Sequence, residues 1–434
     1  MTDSTQSTGA TPAQGDKNLF QSLELDMRLL GMIGAFVIIA IGFSIATGGN
    51  FLTPRNIFNL TVQTVSVAIM ATGMVFVIVT RNIDLSVGAL LAVCSAVVAI
   101  VQVRLLPGTF GLEIGSPWIA PLAVLSGLLV GTLIGVFNGV LIGYQAIPAF
   151  IVTLGGFLVW RYAGWFLTGG QTIAPLDSNF ILLGGAEGTL GEFWSWVIGI
   201  LASVAAVWAV YSARRNRINH NFPTKPLWAE FTVGGIFVVA ILGFVATLNA
   251  YAVPAGKLRR LFEARGEVMP EGFSQGHGLP ISVLILVAVA IVMTVVARKT
   301  RLGRYIFATG GNPDAAELSG INTRLLTVKV FAIMGFLCGL SAVVAQARLQ
   351  AHTTDIGTLD ELRVIAAAVI GGTALSGGAG TIYGAILGAL IMQSLTSGMG
   401  MVGVDSPLQN IVVGAVLVFA VWIDIVYRRK TGDI

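Results

Sequence analysis

Charge is what this chain has least of: Asp, Glu, Lys and Arg make up 11% of its 434 residues, while 55% are hydrophobic. Soluble domains carry about 25% charged residues, so a water-facing globular surface cannot be assembled from this composition. The mean hydropathy of +0.85 places the chain among polytopic membrane proteins. Cysteine is equally sparse. Cys94 and Cys338 both lie inside apolar runs, which argues for buried thiols and against a disulfide framework or a metal site. His220, His277 and His352 are far apart, and no HExxH or CxxC spacing occurs, so neither a metal centre nor a catalytic constellation is indicated. There is also no GxxxxGK loop followed by Ser or Thr, and nothing equips the chain to hydrolyse nucleotide. The pI near 9.2 comes from basic residues beside apolar runs, where they set topology, and not from a nucleic-acid face.

What the chain has in abundance is apolar runs. Residues 1–17 lack the basic start and cleavage context of a signal peptide and read as a disordered cytoplasmic tail, reaching to residue 28. Runs then follow at 29–47, 60–80, 85–103, 118–143, 149–168, 192–212, 231–248, 280–297, 326–346, 363–376, 380–400 and 408–427, which makes twelve. Most approach the roughly 20 residues that a helix needs to cross hydrocarbon; 363–376 is short and reads as broken or partly re-entrant. Charge tests the count. Basic clusters at 213–230 (Arg214, Arg215, Arg217, Lys225), after 297 (Arg298, Lys299, Arg301, Arg304, Arg324) and at the end (Arg428, Arg429, Lys430) are cytoplasmic by the positive-inside rule. Even numbers of spans must separate them, so 363–376 has to cross, both termini are cytoplasmic, and 428–434 is a second tail. Parity puts 249–279 outside, although it holds Lys257, Arg259, Arg260 and Arg265.

Small residues mark contacts. Gly127, Gly131, Gly135, Gly139 and Gly143 recur every four positions and form one helix face, with a second such face at Gly380, Gly384 and Gly388; in lipid these let backbones approach closely. Polar residues within apolar runs are more informative. In RNIDLSVGALLA, Asp84 and Ser86 either cap an ordinary helix start or begin a helix within the membrane beside a pathway. In LDELRVIAAAVIGGTALSGGAG, Asp360, Glu361 and Arg363 precede a glycine-dense break that either lines a cavity or makes a tight hairpin. Asn138, Arg161 and Gln171 lie in or near the middle spans, with Arg161 placed to snorkel to an interface beside Trp160, Tyr162, Trp165 and Phe166. Between two spans, Asn312 suits an N-cap, Pro313 the first helical position, Asp314 the positive helix end and Gly320 a left-handed stop, which predicts a short capped helix over 312–320.

The motifs NIDLSVGALLA, NGVLIGYQAIPAFIVTLGG, TRLGRYIFATGGNPDAAELSGIN and ELRVIAAAVIGGTALSGGAGTIYGAILGALI resemble those of permease subunits of bacterial ABC importers for monosaccharides, the ribose, xylose, galactose and arabinose group. The likeness runs from about residue 29 to the C-terminus. An added pair of runs around 213–230 resembles the xylose type and would expand a ten-helix core to twelve; the charged stretch 249–279 departs from the pattern. The resemblance implies an all-α, type II ABC importer-like bundle in the inner membrane, working as a homodimer in lipid and binding no nucleic acid. It implies a separate ATPase with two nucleotide-binding halves that uses ATP and Mg, and a periplasmic sugar-binding protein. No catalytic residue, metal or cofactor is expected in this chain. Coupling to the ATPase falls on Gly311, Asn312, Ala315, Ala316, Leu318, Ser319 and Gly320, with Ala315 and Ala316 letting the helix lie close to the partner. The pathway falls on Asp84, Ser86, Asn138, Phe150, Thr153, Glu361, Gly371, Gly372 and Thr373. A proton- or sodium-coupled transporter is the rival class, and it would want ionisable groups at mid-span.

Overall fold

The computed structural model describes residues 27–431, which are helical with only isolated bridges between loops. In chain order come α1 (Met27–Ala46), α2 (Pro54–Val79) and α3 (Val87–Ile100), which a π turn over Val101–Leu105 carries into α4 (Leu106–Phe110). There follow α5 (Ile119–Gly143), α6 (Ala149–Thr168), the single turn α7 (Ser178–Ile181) and the hairpin of α8 (Gly191–Asn219) and α9 (Leu227–Asn249). Beyond the short α10 (Ala255–Ala264) lie α11 (Ile281–Lys299), α12 (Arg301–Gly311), α13 (Pro313–Leu318), α14 (Thr323–Leu349), α15 (Asp360–Ile370), α16 (Ile382–Met401) and α17 (Ser406–Thr431). All but the last two residues of the expected tail over 1–28 lie outside the described residues, as do the last three of the expected tail at 428–434.

Ten stretches among the described residues are long and apolar enough to cross a membrane, the unit Val87–Phe110 counting as one, and α17 adds a shorter apolar stretch over Ser406–Trp422. The short run is realised differently. It forms α15, whose 11 residues span only about 16 Å at 1.5 Å per residue, half of a hydrocarbon layer of roughly 30 Å. The chain nevertheless travels the full distance. One end of this passage is fixed where the backbones of His352 and Ile173 pair, and the other where Gly377 and Gly378 pack on Gly310 and Gly311. The loop 350–359 makes the first half of the crossing and α15 the second.

Packing explains the rest of the arrangement. Every residue of α2 from Thr64 to Val79 is buried, because this part of α2 carries no charged residue and α11, α14, α15 and α16 pack on it. The most extensive pairing joins α5 to α14, and the glycine stripe is its cause. A Cβ on Gly131 would strike the Gly335 carbonyl, one on Gly135 the Phe331 carbonyl and one on Gly143 the Arg324 carbonyl. The second small-residue face works likewise: Gly384 and Gly388 of α16 lie against the backbone of Gly371 and Ala367.

The stretch 249–279 packs on 184–191 through the Lys257–Glu187 ion pair (2.8 Å) and the Gly191 amide, which donates to the His277 carbonyl at 3.2 Å, and a His277 ring stacked on Tyr251 at 4.4 Å closes the stretch on itself. Helix α11 separates it from α12 and α13, so it lies at the opposite end of the bundle from the capped helix. That agrees with the parity argument despite the four basic residues. The bundle thus has a capped-helix end and a far end.

Gly135→Leu is expected to destabilise the bundle by about 1–3 kcal/mol or prevent its folding, the usual effect of overpacking. Gly235→Leu should be tolerated, since nothing lies within 4 Å of a Cβ there. Thermal unfolding of the detergent-solubilised protein checks the contrast; equal melting temperatures for the two variants would contradict the packing account.

Candidate functional site

Two interruptions of helix meet inside the bundle. After α2, Arg81 adopts the left-handed region (φ 63°) and turns the chain away from the α2 axis. Asp84 Oδ1 then accepts from the Ser86 amide at 2.8 Å and the Ser86 hydroxyl at 2.6 Å, a side-chain-mediated turn that launches α3 with its first residues already buried. The Thr153 hydroxyl, one turn into α6, bonds the Ala149 carbonyl of its own helix at 2.9 Å and also lies 3.3 Å from the Ile83 carbonyl. The second interruption is the loop 350–359. Gly357 (φ 74°) and Leu359 (φ 61°) are both left-handed and end in the first turn of α15. Arg161 reaches from α6 to donate to the carbonyls of Ile356 at 2.8 Å and Thr354 at 3.4 Å, so it serves the buried loop backbone and does not merely snorkel.

The two interruptions touch at Gly88 and Gly357. A Cβ on either would collide with the other's carbonyl, and one on Gly88 would also strike the Glu361 carboxylate. The N-terminal ends of α3 and α15 therefore face one another within the bundle. Both ends are positive, and the carboxylates of Asp84, Asp360 and Glu361 offset them.

On the far side of this contact lies a polar cavity of about 400 Å³ between α2, α14, α15, α16 and the loop 353–358. Gln63, Arg348, Asp355, Asp360, Arg363 and Gln393 line it. Arg363 pairs with Asp360 at 3.2 Å, and Gln393 Nε2 donates to Gln63 Oε1 at 2.8 Å.

The pathway residues expected from the sequence divide. Asp84, Ser86, Thr153 and Glu361 are buried at or beside the meeting of the two helix ends, Glu361 with Oε2 lacking a hydrogen-bond partner. Asn138 is buried on α5 with neither amide atom bonded, Phe150 is 55% exposed on α6, and Gly371, Gly372 and Thr373 form the exit of α15, Gly371 against the backbone of Gly384. None of these nine lines the cavity. The cavity residues Gln63, Arg348 and Gln393 were missed, although Gln63 and Gln393 are long polar side chains inside apolar runs, the mark that singled out Asn138, and Arg348 lies just past the end of one, as Asp84 lies just before one.

At the opposite end the capped helix forms as its residues dictate. Asn312 Oδ1 accepts from the Ala315 amide at 3.0 Å, Pro313 opens α13, and Gly320 is left-handed at φ 83°. Leu318 is 90% exposed, whereas Ala316 is buried, so the small size of Ala316 serves the seating of α13 on its own bundle and Ala315 is the alanine left facing outward. Helix α12 was not expected; Thr300, whose hydroxyl accepts from the Gly303 amide at 3.2 Å, is the cap that announces it. Its last carbonyls, Gly310 and Gly311, accept from Arg81 at 2.8 and 2.7 Å, and Gly310 packs on Val79 and Gly378. A single arginine thus joins the seat of the capped helix to the turn between α2 and α3.

Arg161→Leu is expected to accelerate hydrogen exchange across 353–358 by roughly tenfold, the effect of removing about one hydrogen bond of net stability. Mass-spectrometric exchange on the protein in nanodiscs reads this. Unchanged protection would show that Arg161 does not hold the loop.

A family profile described as branched-chain amino acid transport system / permease component matches residues 56–215 and 193–421. The two matches overlap within α8, the first helix of the hairpin that the sequence marked as additional. The chain is 35% identical to the xylose transport system permease protein of Haemophilus influenzae over 413 residues, 95% of this chain and 100% of that protein. It is 34% identical to the xylose transport system permease protein of Escherichia coli over 97% of each chain. Against the ribose import permease protein of Escherichia coli the identity is 31%, over 92% of this chain and 94% of that one. No solved structure matches.

Proposed function

This chain belongs to the family of branched-chain amino acid transport system / permease components, and from that premise we propose that it is the membrane-spanning subunit of an ATP-driven monosaccharide importer of the xylose type. The observation that carries the reading is α13: a capped helix that presents Leu318, 90% exposed, while tied through α12 and Arg81 to the core helix α2. An apolar side chain held out beyond the bundle on a rigid mount suits a lever for a second protein. The xylose and ribose permeases among its relatives support a sugar cargo, with xylose first.

In this reading the partner is an ATPase with two nucleotide-binding halves that uses ATP and Mg, and Gly311, Asn312, Ala315, Leu318, Ser319 and Gly320 form the contact, with Ala316 holding them in place. A soluble sugar-binding protein delivers cargo at the far end. Two copies of this chain form the unit in the inner membrane lipid. The basic residues near α12 and at the α8–α9 turn support a cytoplasmic capped-helix end, with both termini on the same side. Movement of α13 reaches α2 through Arg81 and the α15–α16 turn through Gly378. From there it acts on the meeting of α3 and α15, where Asp84, Ser86, Thr153, Glu361 and the exit residues 371–373 shape the passage.

Reconstituted with the ATPase and binding protein in liposomes, the chain is expected to take up D-xylose only with ATP; uptake by this chain alone on an ion gradient would refute the importer. Leu318→Asp should weaken co-purification with the ATPase by tenfold or more, as the loss of roughly 1.5–3 kcal/mol of apolar burial requires, with no change in the melting temperature of the isolated permease. Undiminished association would refute the docking role of α13.

A further inference from the structure

Resting on the importer reading, we infer that the cavity between α2, α14, α15 and α16 is a transit site for one neutral sugar, with the Gln63–Gln393 amide pair and the charged set Arg348, Asp355, Asp360 and Arg363 as its recognition groups. The position argues first. These six side chains come from four helices and the loop 350–359 and converge within a largely apolar bundle, where polar groups are costly and mark pathways. The groups are also incompletely used by the protein. Arg363 Nε is buried without a partner, and the one bond within the amide pair, Gln393 Nε2 to Gln63 Oε1, leaves Gln63 Nε2 and Gln393 Oε1 for a ligand.

Charge then selects the ligand class. Arg348 and Arg363 face Asp355 and Asp360, two charges of each sign, so an anion or a cation meets as much repulsion as attraction. A hydroxyl donates one hydrogen bond and accepts others, and a ring of hydroxyls can use both kinds of group at once. At about 400 Å³ the cavity lies within the size range of small-ligand sites. No aromatic side chain lines it, so the sugar finds no stacking platform. Weak hold is what a transit site needs, because cargo that binds tightly does not leave. Gly357 lines the cavity and packs on Gly88 of α3, so onward passage on this side requires α3 and α15 to part, and the same step frees the cargo from Asp360 on the moving helix.

The test replaces the amide pair together, Gln63→Leu with Gln393→Leu, since exchanging both partners for apolar groups of like shape spares the fold. In liposomes holding the complete importer, D-xylose uptake is expected to fall roughly tenfold, the worth of one lost hydrogen bond of about 1.4 kcal/mol, while the double variant keeps the wild-type melting temperature. A second measurement does not depend on turnover. Thr396→Cys places a thiol on the cavity wall, and Cys94 and Cys338 are buried, so an impermeant thiol reagent reports on that wall. Millimolar D-xylose should slow the labelling and the anion D-xylonate should not. Wild-type uptake in the double variant, labelling indifferent to D-xylose, or equal protection by D-xylonate would each overturn the site. If the wild-type importer moves no monosaccharide, the importer reading itself fails and the site falls with it.

Discussion

A backbone inside hydrocarbon has no water to satisfy it, and the two interruptions at 80–86 and 350–359 are possible only because protein groups take that role. Asp84 bonds the start of α3, Arg161 takes two carbonyls of the descending loop, and the Thr153 hydroxyl lies against the Ile83 carbonyl. Asp84 belongs to the interruption that it braces, whereas Thr153 and Arg161 both arrive from α6, so one helix lies against both interruptions. The Gly88–Gly357 contact follows from this. Two helix ends of the same polarity are brought together glycine to glycine with the Glu361 carboxylate against Gly88, and their repulsion is offset by carboxylates at the same place. Such a joint is closed by packing and local charge, with no continuous helix to keep it shut.

The capped-helix end is connected to that joint by short, stiff links. Arg81 sits in the turn that begins the first interruption, and its guanidinium caps the C-terminal carbonyls of α12. A cation at that position also complements the negative helix end. Gly378, in the turn after α15, bonds the Val79 carbonyl at 3.0 Å and packs on Gly311. Displacement of α12 and α13 therefore acts on the ends of both α2 and α15. The α5–α14 pair, locked backbone to backbone by glycines, supplies a frame that does not yield.

The polar cavity and the exposed leucine stand at opposite ends of this linkage. The cavity draws its groups from helices that α2 organises, and Leu318 rides on helices that Arg81 fastens to α2. The far-end cavity and the capped-helix end share one central helix, buried for its last sixteen residues, Thr64 to Val79.

The sequence by itself determined the apolar runs, their parity, the glycine faces and the capped helix, because hydrophobic period, charge beside spans, small-residue spacing and cap chemistry act over a few neighbouring residues. Asn312, Pro313 and Gly320 did as their chemistry requires, and Gly131 and Gly135 met α14 as a four-residue stripe predicts. Only the tertiary structure decided that α15 is half a crossing, that Arg161 holds a loop almost two hundred residues away in sequence, that Ala316 faces inward, and that Gln63, Arg348 and Gln393 converge on one cavity. The physical reason is range. A lone polar residue in an apolar run declares that it needs a partner, but which group answers it, and whether that group belongs to the chain or to a cargo, depends on helices far apart in sequence that packing alone brings together.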